Sequence, residues 1–398
     1  MRRANDRLDP QAARADWNAS AAAEPDTGWT TYKCKLVTPL YGGGVRAGTV
    51  DRELPIRVAS IRGQLRFWWR VAAGPFDCSA AMFRRESALW GGIASSGPCA
   101  SQVAVRVTCA PAADAQFIAS DTQTDPGVRY AFGPAAINGV AQWLRPGYAF
   151  SLALRYPPEV AAEVMSALRW WASFGGLGAR TRRGFGAFRV EGLEPITPEE
   201  VAATGGRLCL AGAGGTNAES EWKRAIGRMY AYRQQPGTAR RPGHPRPGRS
   251  FWPEPDQIRR FTGKDAQGKH LPEHPAGNCF PRAAFGLPIL FEFKGSPGDP
   301  QTTELVPAGG EDRMASPVIL RPYWNGQRWQ AAALLLPGWR AALALPLRFK
   351  DQHFAPAQWP TDPADRRTAA GRIAPMMRGN DPRGDDPLSA FMQFFTED

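Results

Sequence analysis

The sequence predicts an α+β protein of two tandem domains, each with the split β-α-β topology of ferredoxin-like folds and with long loop insertions. Its length of 398 residues exceeds what one ordinary hydrophobic core requires and suits two domains. Apolar segments of strand and helix period follow one another in the first half in the order strand, helix, strand, strand, helix, strand. Glycine (42) and proline (37) make up about one fifth of the chain and predict the loops.

The first domain is expected over residues 29–205, with insertions at 74–100 and 110–147. Alternating apolar residues predict its strands, and apolar residues spaced three and four apart predict its helices. The predicted strands are 32–37, the run SQVAVRVTC at 101–109, 148–156 and 187–190, and the predicted helices are 61–73 and 159–173.

The second domain is expected over residues 206–350, where the pattern is less regular. Residues 1–28 are polar and predict a flexible leader. Residues 351–398 predict an irregular tail that ends in a short apolar helix at 388–395. Within the second domain the sequence predicts a helix near 222–233 and strands near 287–293, 318–322 and 329–336.

The charge balance favours a polyanionic partner. Lysine and arginine exceed aspartate and glutamate by 12, which suits nucleic acid or an anionic membrane surface. No apolar run approaches the roughly 20 residues of a membrane span, so a membrane partner is not expected. The six cysteines have no CxxC spacing and are expected to be reduced thiols of a cytoplasmic protein.

The first predicted helix, IRGQLRFWWRVAA, carries a basic stripe. Arg62, Arg66 and Arg70 lie at i, i+4 and i+8 with no acidic residue between them, and Arg57 lies just upstream. Such a stripe can follow the phosphates of a nucleic acid, whereas its commoner role is a solvated surface. RNA contact is therefore a hypothesis for these arginines and for Gly63 between them.

A glycine-rich loop is expected at 174–187, between the second helix and the last strand. Glycines let the backbone approach a ligand, and arginines supply paired donors to phosphate. The loop precedes a strand and no GK[ST] follows, so a Walker nucleotide site is not expected. A flexible surface loop is the alternative. The candidate RNA-binding residues are Gly176, Gly178, Arg180, Arg182, Arg183, Gly184 and Gly186.

A basic loop, PGTARRPGHPRPGRS, is expected at 236–250. Prolines and glycines predict that it is extended and mobile. It has four arginines and no acidic residue, which makes it a third candidate for RNA contact. Its candidate residues are Arg240, Arg241, Arg246 and Arg249.

These segments resemble a known family. TPLYGGG (38–44), SIRGQLRFWWR (60–70), LWGG (89–92) and GGLGARTRRGFG (175–186) are similar to motifs of RAMP proteins, RRM-like subunits of type III CRISPR systems. In the second half, SFWPEPDQIR, FPRAAFGLPILF and RMASPVILRP resemble the first-numbered RAMP subunit of the type III-B Cmr complex. The resemblance spans roughly residues 31–336, and the basic loop at 236–250 departs from it.

The resemblance implies a non-catalytic RNA-binding subunit of an antiviral ribonucleoprotein. Such subunits have tandem ferredoxin-like domains, hold the 3′ part of the guide RNA (crRNA) and help to position single-stranded target RNA beside other RAMP subunits. Target cleavage in that family is assigned to different subunits. The residues that match its motifs are Arg62, Gly63, Arg66, Arg70 and the loop from Gly176 to Gly186.

Two catalytic alternatives remain open on the sequence. Asp51 lies in the loop where cleaving RAMP subunits carry an aspartate, so a metal-dependent endoribonuclease is possible. A guide-RNA-maturing nuclease would use histidine, but none of the four histidines lies in the first domain. His270, His274 and Cys279 have spacing that suits zinc, although Pro272 disrupts a regular helix there. The expectation is no catalytic residue, no metal and no cofactor.

Overall fold

The structure is a computed structural model, which describes eight segments of the chain. Within them, no helix has the length and apolar character to cross a membrane. The six cysteines are free thiols. The leader predicted at 1–28 lies outside the described residues except for its last residue. The described segments are 28–94, 97–122, 124–133, 139–243, 248–264, 273–293, 298–350 and 356–397.

The first domain contains a four-stranded antiparallel sheet and two long helices. Its helices are α1 (Val58–Ala72), α2 (Ser79–Trp90), α3 (Pro126–Phe132), α4 (Ala161–Phe174) and α5 (Pro198–Ala203). Its strands are β1 (Thr30–Leu36), β2 (Gly92–Ala94), β3 (Gly97–Cys99), β4 (Ala104–Thr108), β5 (Phe117–Ala119), β6 (Gln142–Leu144), β7 (Ala149–Arg155) and β8 (Phe188–Val190).

The order of strands in the main sheet is β4-β7-β1-β8, and each neighbouring pair is antiparallel. Helices α1 and α4 connect these strands and pack together on one face, where Trp68, Trp69 and Trp171 are buried. Strand residues alternate accordingly: Cys34 and Leu36 of β1 point into this core. The other face of the sheet is not covered by these two helices, and the alternate residues of β1 on it are exposed.

The second domain has a smaller sheet with helices against it. Its helices are α6 (Ala218–Gln234), α7 (Glu254–Thr262), α8 (Pro363–Ala370) and α9 (Pro387–Thr396). Its strands are β9 (Arg207–Gly215), β10 (Ile289–Phe291), β11 (Thr303–Pro307), β12 (Val318–Trp324), β13 (Trp329–Leu335), β14 (Leu347–Phe349), β15 (Met377–Arg378) and β16 (Asp381–Pro382).

Strands β12, β13 and β9 form an antiparallel sheet in that order, and β10, β11 and β14 form another. The terminal helix α9, predicted at 388–395, packs on α6 and β9 and buries Leu388, Phe391 and Phe395 in the second core. Helix α9 thus belongs to the second domain, because its apolar face packs on other elements of that domain.

The mixed helix-and-sheet class predicted from the sequence is confirmed. The predicted main-sheet strands and long helices of the first domain fall within three residues of the observed bounds, except that the strand within SQVAVRVTC is shorter than its run. Strong hydrophobic periodicity explains this agreement. In the second domain, the helix predicted near 222–233 extends to Ala218–Gln234, since Asn217 caps its N-terminus by accepting from the N–H groups of Glu219 and Ser220.

Candidate nucleic-acid interface

The basic stripe of α1 has an acidic partner inside the protein. Helix α2 places Glu86 against it, and the carboxylate accepts from Nε of Arg66 at 2.7 Å and from Nε and Nη2 of Arg70 at 2.7 and 2.8 Å. Glu86 has a side chain that is only 4% exposed. The stripe has no acidic residue within its own sequence, but Arg66 and Arg70 pair with an acid that comes from a separate helix.

The electrostatics of this contact are those of a stable ion pair. The hydrogen bond from Arg70, followed by the one from Arg66, lowers the pKa of Glu86 despite its burial, and the bond to Glu86 raises the pKa of Arg70. Arg62 is exposed and donates through Nη2 to the Trp90 carbonyl at 3.3 Å. Arg66 and Arg70 thus hold α2 on α1, which reduces the charge that they offer to RNA.

The other two residues of this candidate group differ in their surroundings. Gly63 is exposed on α1, and nothing lies within 4 Å of where a Cβ would be. Arg57 directly precedes α1 and is half-buried; its Nε has no hydrogen-bond partner among the described residues. Both positions remain compatible with ligand contact.

The glycine-rich loop is packed rather than free. Its backbone bonds to the first glycine-rich segment, TPLYGGG: Thr38 Oγ1 donates to the Gly184 carbonyl at 2.6 Å, and the N–H of Ala179 donates to the Tyr41 carbonyl at 2.7 Å. A Cβ would come closer than 3.0 Å to another atom at all four predicted glycines, which explains their presence. These are Gly176, Gly178, Gly184 and Gly186.

The arginines of this loop mostly face the second domain. Arg182 donates to the Ser316 carbonyl, and its Cζ lies 5.5 Å from the centre of the Phe67 ring on α1. The Arg183 carbonyl accepts from Trp222 Nε1 at 2.8 Å, and burial lowers the pKa of the Arg183 guanidinium to about 10. Arg180, with a left-handed φ of 60°, is exposed. The loop contacts α1 through Arg182, and the side chains of Arg182 and Arg183 are only partly exposed.

A fully buried arginine joins the two domains at the same place, and sequence reasoning missed it. Arg321 of β12 donates from Nη1 to the Gly175 carbonyl at 2.6 Å and from Nη2 to the Phe188 carbonyl at 3.2 Å. Burial lowers its pKa to about 9. The motif RMASPVILRP contains this residue, but its apolar surroundings in sequence do not reveal that its partners are backbone carbonyls 130 to 150 residues away.

The basic loop is ordered at both described ends. The N–H of Arg241 donates to the Arg249 carbonyl at 2.8 Å, so the two ends pair as a hairpin. Arg249 bonds to Asp256 Oδ2 at 2.6 Å, and Arg240 Nε bonds to Gln234 Oε1 at 3.2 Å. The expectation of a wholly extended, mobile loop is therefore corrected for these ends. Residues 244–247, including Arg246, lie outside the described residues.

The candidate catalytic groups have structural partners. Asp51 Oδ1 accepts from the N–H groups of Glu53 and Leu54 at 3.0 and 3.1 Å. His274 lies 3.0 Å from the Phe251 carbonyl through Nε2 and accepts from a backbone N–H through Nδ1. His270 lies outside the described residues. In the described part of the chain, no group of three or more His, Cys, Asp or Glu side chains is arranged to hold a metal ion.

The open face of the main sheet carries a basic surface that the sequence analysis did not identify. Lys33 and Lys35 alternate with buried residues of β1 and are exposed. Arg106 of β4, Arg155 of β7 and Arg189 of β8 occupy corresponding outward positions, and Lys35 lies directly opposite Arg189 in the ladder. We call these five residues the sheet-face cations.

Two tryptophans border this surface. The guanidinium carbons of Arg106 and Arg155 lie 4.4 and 5.0 Å from the ring centre of Trp29, and that of Arg189 lies 4.0 Å from the ring centre of Trp324. Such contacts hold the charged groups over the sheet. Glu191, which follows β8, is next to Lys33 and subtracts one charge. The surface therefore combines net positive charge with aromatic rings, as single-stranded RNA sites do.

A signal for this surface was present in the sequence. The segment TTYKCKL has lysines two residues apart, and this spacing places both on one face of a strand. The remaining sheet-face cations come from three other strands, so only the strand order brings them together. A search for segments rich in basic residues therefore could not identify this surface.

The chain is similar to known proteins in sequence pattern and in fold. The model of the RAMP superfamily matches residues 33–189. No curated protein matches the chain. Apo Cmr1 from Pyrococcus furiosus is similar at 15% identity with a TM-score of 0.44, over 81% of this chain and 98% of that one. A chain of the type III-B Cmr-beta complex with cognate target RNA and AMPPnP is similar at 10% identity with a TM-score of 0.40, over 80% of this chain and 94% of that one.

The family match covers the part of the chain that carries the first three motifs of the resemblance and the glycine-rich loop. It extends from β1 to β8, so it includes all four strands of the main sheet and both long helices. The RAMP superfamily, which the motifs of the sequence resemble, is therefore also the family whose model matches the first domain.

Proposed function

We propose that the chain is a non-catalytic RNA-binding subunit of a type III-B CRISPR (Cmr) effector ribonucleoprotein in the cytoplasm. In this role it holds the 3′ part of the guide RNA and helps to position target RNA beside other RAMP subunits. The observation that carries the proposal is the open sheet face, where five cations and two tryptophans meet. The motif resemblance of both halves supplies the type of complex.

The two-domain architecture supports this role. The first sheet has the antiparallel order of a ferredoxin-like domain, and the second domain repeats its first strand, first helix and following hairpin as β9, α6, β12 and β13, with α9 as the second helix. We therefore propose tandem ferredoxin-like domains. Arg321 and the glycine-rich loop connect them, so that the orientation of the sheet face within a complex is held by internal contacts.

The RNA chemistry follows from the composition of the face. Lysine and arginine neutralise phosphates without reading bases, and the tryptophans offer stacking that tolerates any base. The expected binding is therefore independent of sequence and strongly dependent on salt. The bonds that Asp51 accepts from Glu53 and Leu54 support a structural role for that carboxylate, in line with a non-catalytic subunit.

The test is a triple variant, Lys33→Ser, Lys35→Ser and Arg106→Ser, assayed for binding to single-stranded RNA over a range of salt concentrations. We expect about a tenfold loss of affinity and a salt slope that is lower by about 2, since each lost phosphate contact contributes about 0.7. A matched control removes three exposed arginines elsewhere. These are Arg84 on α2, Arg367 on α8 and Arg378 on β15.

The control keeps the same net charge as the test variant, so it separates a local surface from general electrostatic attraction. Equal affinity and equal salt slope for the two variants would remove the sheet face from the proposal. Incorporation of both variants into the assembled ribonucleoprotein then reports whether the same surface acts in the complex. Wild-type RNA binding by the test variant would contradict the proposed function of this face.

A further inference from the structure

Four arginine side chains interact electrostatically around the contact between the glycine-rich loop and the second domain. Arg183 belongs to that loop, Arg233 to the last turn of α6, Arg240 to the segment after α6, and Arg282 to a short 3-10 turn. Burial is the main cause that lowers the pKa of Arg183, Arg240 and Arg282. The charge of Arg233 lowers the pKa of Arg183 and Arg282 further, and the charge of Arg282 lowers that of Arg240 further. We call these residues the arginine cluster.

Packing holds each member of the arginine cluster in place. The Arg233 guanidinium carbon lies 5.2 Å from the centre of the Phe285 ring, and that of Arg282 lies 5.3 Å from another aromatic ring. Arg240 is fixed by its bond to the Gln234 amide, and the Arg183 backbone by the bond from Trp222 described above. The side chains of Arg233, Arg240 and Arg282 are therefore preorganised, and Nη1 of Arg183 is buried.

The cluster has too few acceptors for its donors. Glu254 is the acidic partner, with its Oε2 3.1 Å from Nε of Arg282. Among the described residues, Nη1 of Arg183, Nε of Arg233 and Nη2 of Arg282 are buried without a hydrogen-bond partner. Arg233 is 9% exposed and Arg282 is 4% exposed. Buried guanidinium groups are normally paired, so these donors require an acceptor.

We propose that the arginine cluster binds a phosphate monoester. Four guanidinium groups and one carboxylate leave about three positive charges, which match a phosphate dianion, and planar guanidinium groups suit its oxygens. Tyr130 interacts electrostatically with Arg183 and Arg282, and Tyr230 with Arg240; the two half-buried rings have centres 5.9 Å apart. A terminal phosphate needs a single entrance, whereas an internal phosphodiester needs an entrance and an exit through the protein.

Two sources share this chemistry, namely a free phosphate or mononucleotide and the terminal phosphate of an RNA chain. That the phosphate belongs to the end of an RNA chain rests on the proposed function. That the arginine cluster binds a phosphate does not rest on it. The site lies across the domain junction, at the glycine-rich loop and α6, and its residues are distinct from the sheet-face cations. The two surfaces are therefore separable by mutation.

The experiment uses the full chain and two readouts. The first is the melting temperature in inorganic phosphate or adenosine monophosphate against chloride at equal ionic strength, where we expect phosphate to raise it by about 2 °C. The second is the affinity for one RNA oligonucleotide with a 3′-phosphate, a 5′-phosphate or only hydroxyl ends, where we expect about tenfold tighter binding of one phosphorylated form. Arg240→Gln should remove both effects, and Arg84→Gln should remove neither.

The outcomes separate this inference from the proposed function. Stabilisation by phosphate without a preference among RNA ends supports the site and assigns it to a free phosphate or nucleotide. A phosphate effect that persists in the sheet-face triple variant, even if RNA binding is lost there, also supports the site. No stabilisation of the wild-type chain beyond that by chloride overturns the inference, as does a wild-type response in Arg240→Gln. If Arg240→Gln does not fold, Arg183→Lys tests the same site.

Discussion

The glycine-rich loop and the open face of the main sheet are both basic, but the loop presents less of its charge to solvent than the sheet face does. In the loop, Arg182 contacts Ser316 and Phe67, and Arg183 is half-buried beside Trp222. On the sheet, exposed lysines alternate with core residues of β1. The comparison teaches that the density of arginines in a sequence does not measure the charge available to a ligand.

The physical reason lies in how each element meets the rest of the chain. A loop with several glycines approaches other backbones closely, so its side chains acquire partners in both domains. A strand of a sheet with one covered face must turn every second residue outward. The loop therefore stabilises the domain junction, while the sheet supplies an accessible basic surface whose cations lie far apart in the sequence.

The largest effect is expected from adding a methyl group to the loop. In Gly184→Ala the new Cβ would lie 2.6 Å from Trp222 Cδ1 and 2.7 Å from the Leu320 carbonyl. We expect a loss of about 3 kcal/mol in the free energy of unfolding, measured by urea denaturation with tryptophan fluorescence. Gly192→Ala is the control because it shares a positive φ (71° against 76°) but has open space around it, and it should cost only about 1 kcal/mol. Equal costs would show that the loop is not packed.

The second prediction compares two cations whose substitutions should have opposite effects on stability and on RNA affinity. Arg182→Ala should lower the free energy of unfolding by about 1.5 kcal/mol, through the lost bond to Ser316 and the lost contact with Phe67, and should change RNA affinity little. Lys35→Ala should do the reverse, since its side chain is exposed on the sheet face. Denaturation and RNA titration of both variants check this. A loss of RNA affinity with unchanged stability in Arg182→Ala would contradict the assignment.

The third prediction concerns the stripe on α1. Glu86→Gln removes the charge that pairs with Arg66 and Arg70, and we expect about 2 kcal/mol of destabilisation at neutral pH. The arginines keep their own charges, so the measured change reports the carboxylate. Leu54→Gln, at a residue that is 49% exposed, is a surface control with no expected cost.

The pH dependence gives this prediction a second readout. The bonds from Arg70 and Arg66 lower the pKa of Glu86 in the folded protein below its ordinary 4.5. The ionised carboxylate therefore stabilises the folded state at every pH above the pKa that Glu86 has in the unfolded chain. The stabilisation is complete at neutral pH and is lost as the pH falls through the lowered pKa. The stability difference between wild type and Glu86→Gln should therefore shrink in acid. A difference that stays constant down to that range would contradict the ion pair.

The stripe also shows what the sequence predicts and what it does not. Apolar spacing predicts helix α1 and the buried Trp68 and Trp69, because periodicity is a local property. The partner of the stripe is Glu86, sixteen to twenty residues away on another helix, and its position depends on tertiary packing. Arg321 is hidden in the same way, since its acceptors are backbone carbonyls of the first domain. Local elements are therefore predictable, while the partners that decide whether a charge is exposed are not.

The smallest effect is expected at Asp51, where the comparison between structural and ligand-facing charges is sharpest. Its carboxylate accepts from the N–H groups of Glu53 and Leu54, as at the start of a turn or helix. Asp51→Ala should cost about 1 kcal/mol of stability, and Asp51→Asn, which keeps an acceptor oxygen, should cost less.

Target-RNA cleavage by the assembled ribonucleoprotein should be the same for both variants of Asp51 and for wild type, because the proposed role of this carboxylate is only to accept hydrogen bonds from backbone N–H groups. Asparagine tests this more sharply than alanine does, since it preserves the turn but removes the negative charge that a metal ion or general base would need. Cleavage measured with and without divalent metal therefore distinguishes the two roles. Loss of cleavage at one target position in Asp51→Asn, with RNA binding and folding intact, would make this chain a nuclease subunit and end the non-catalytic proposal.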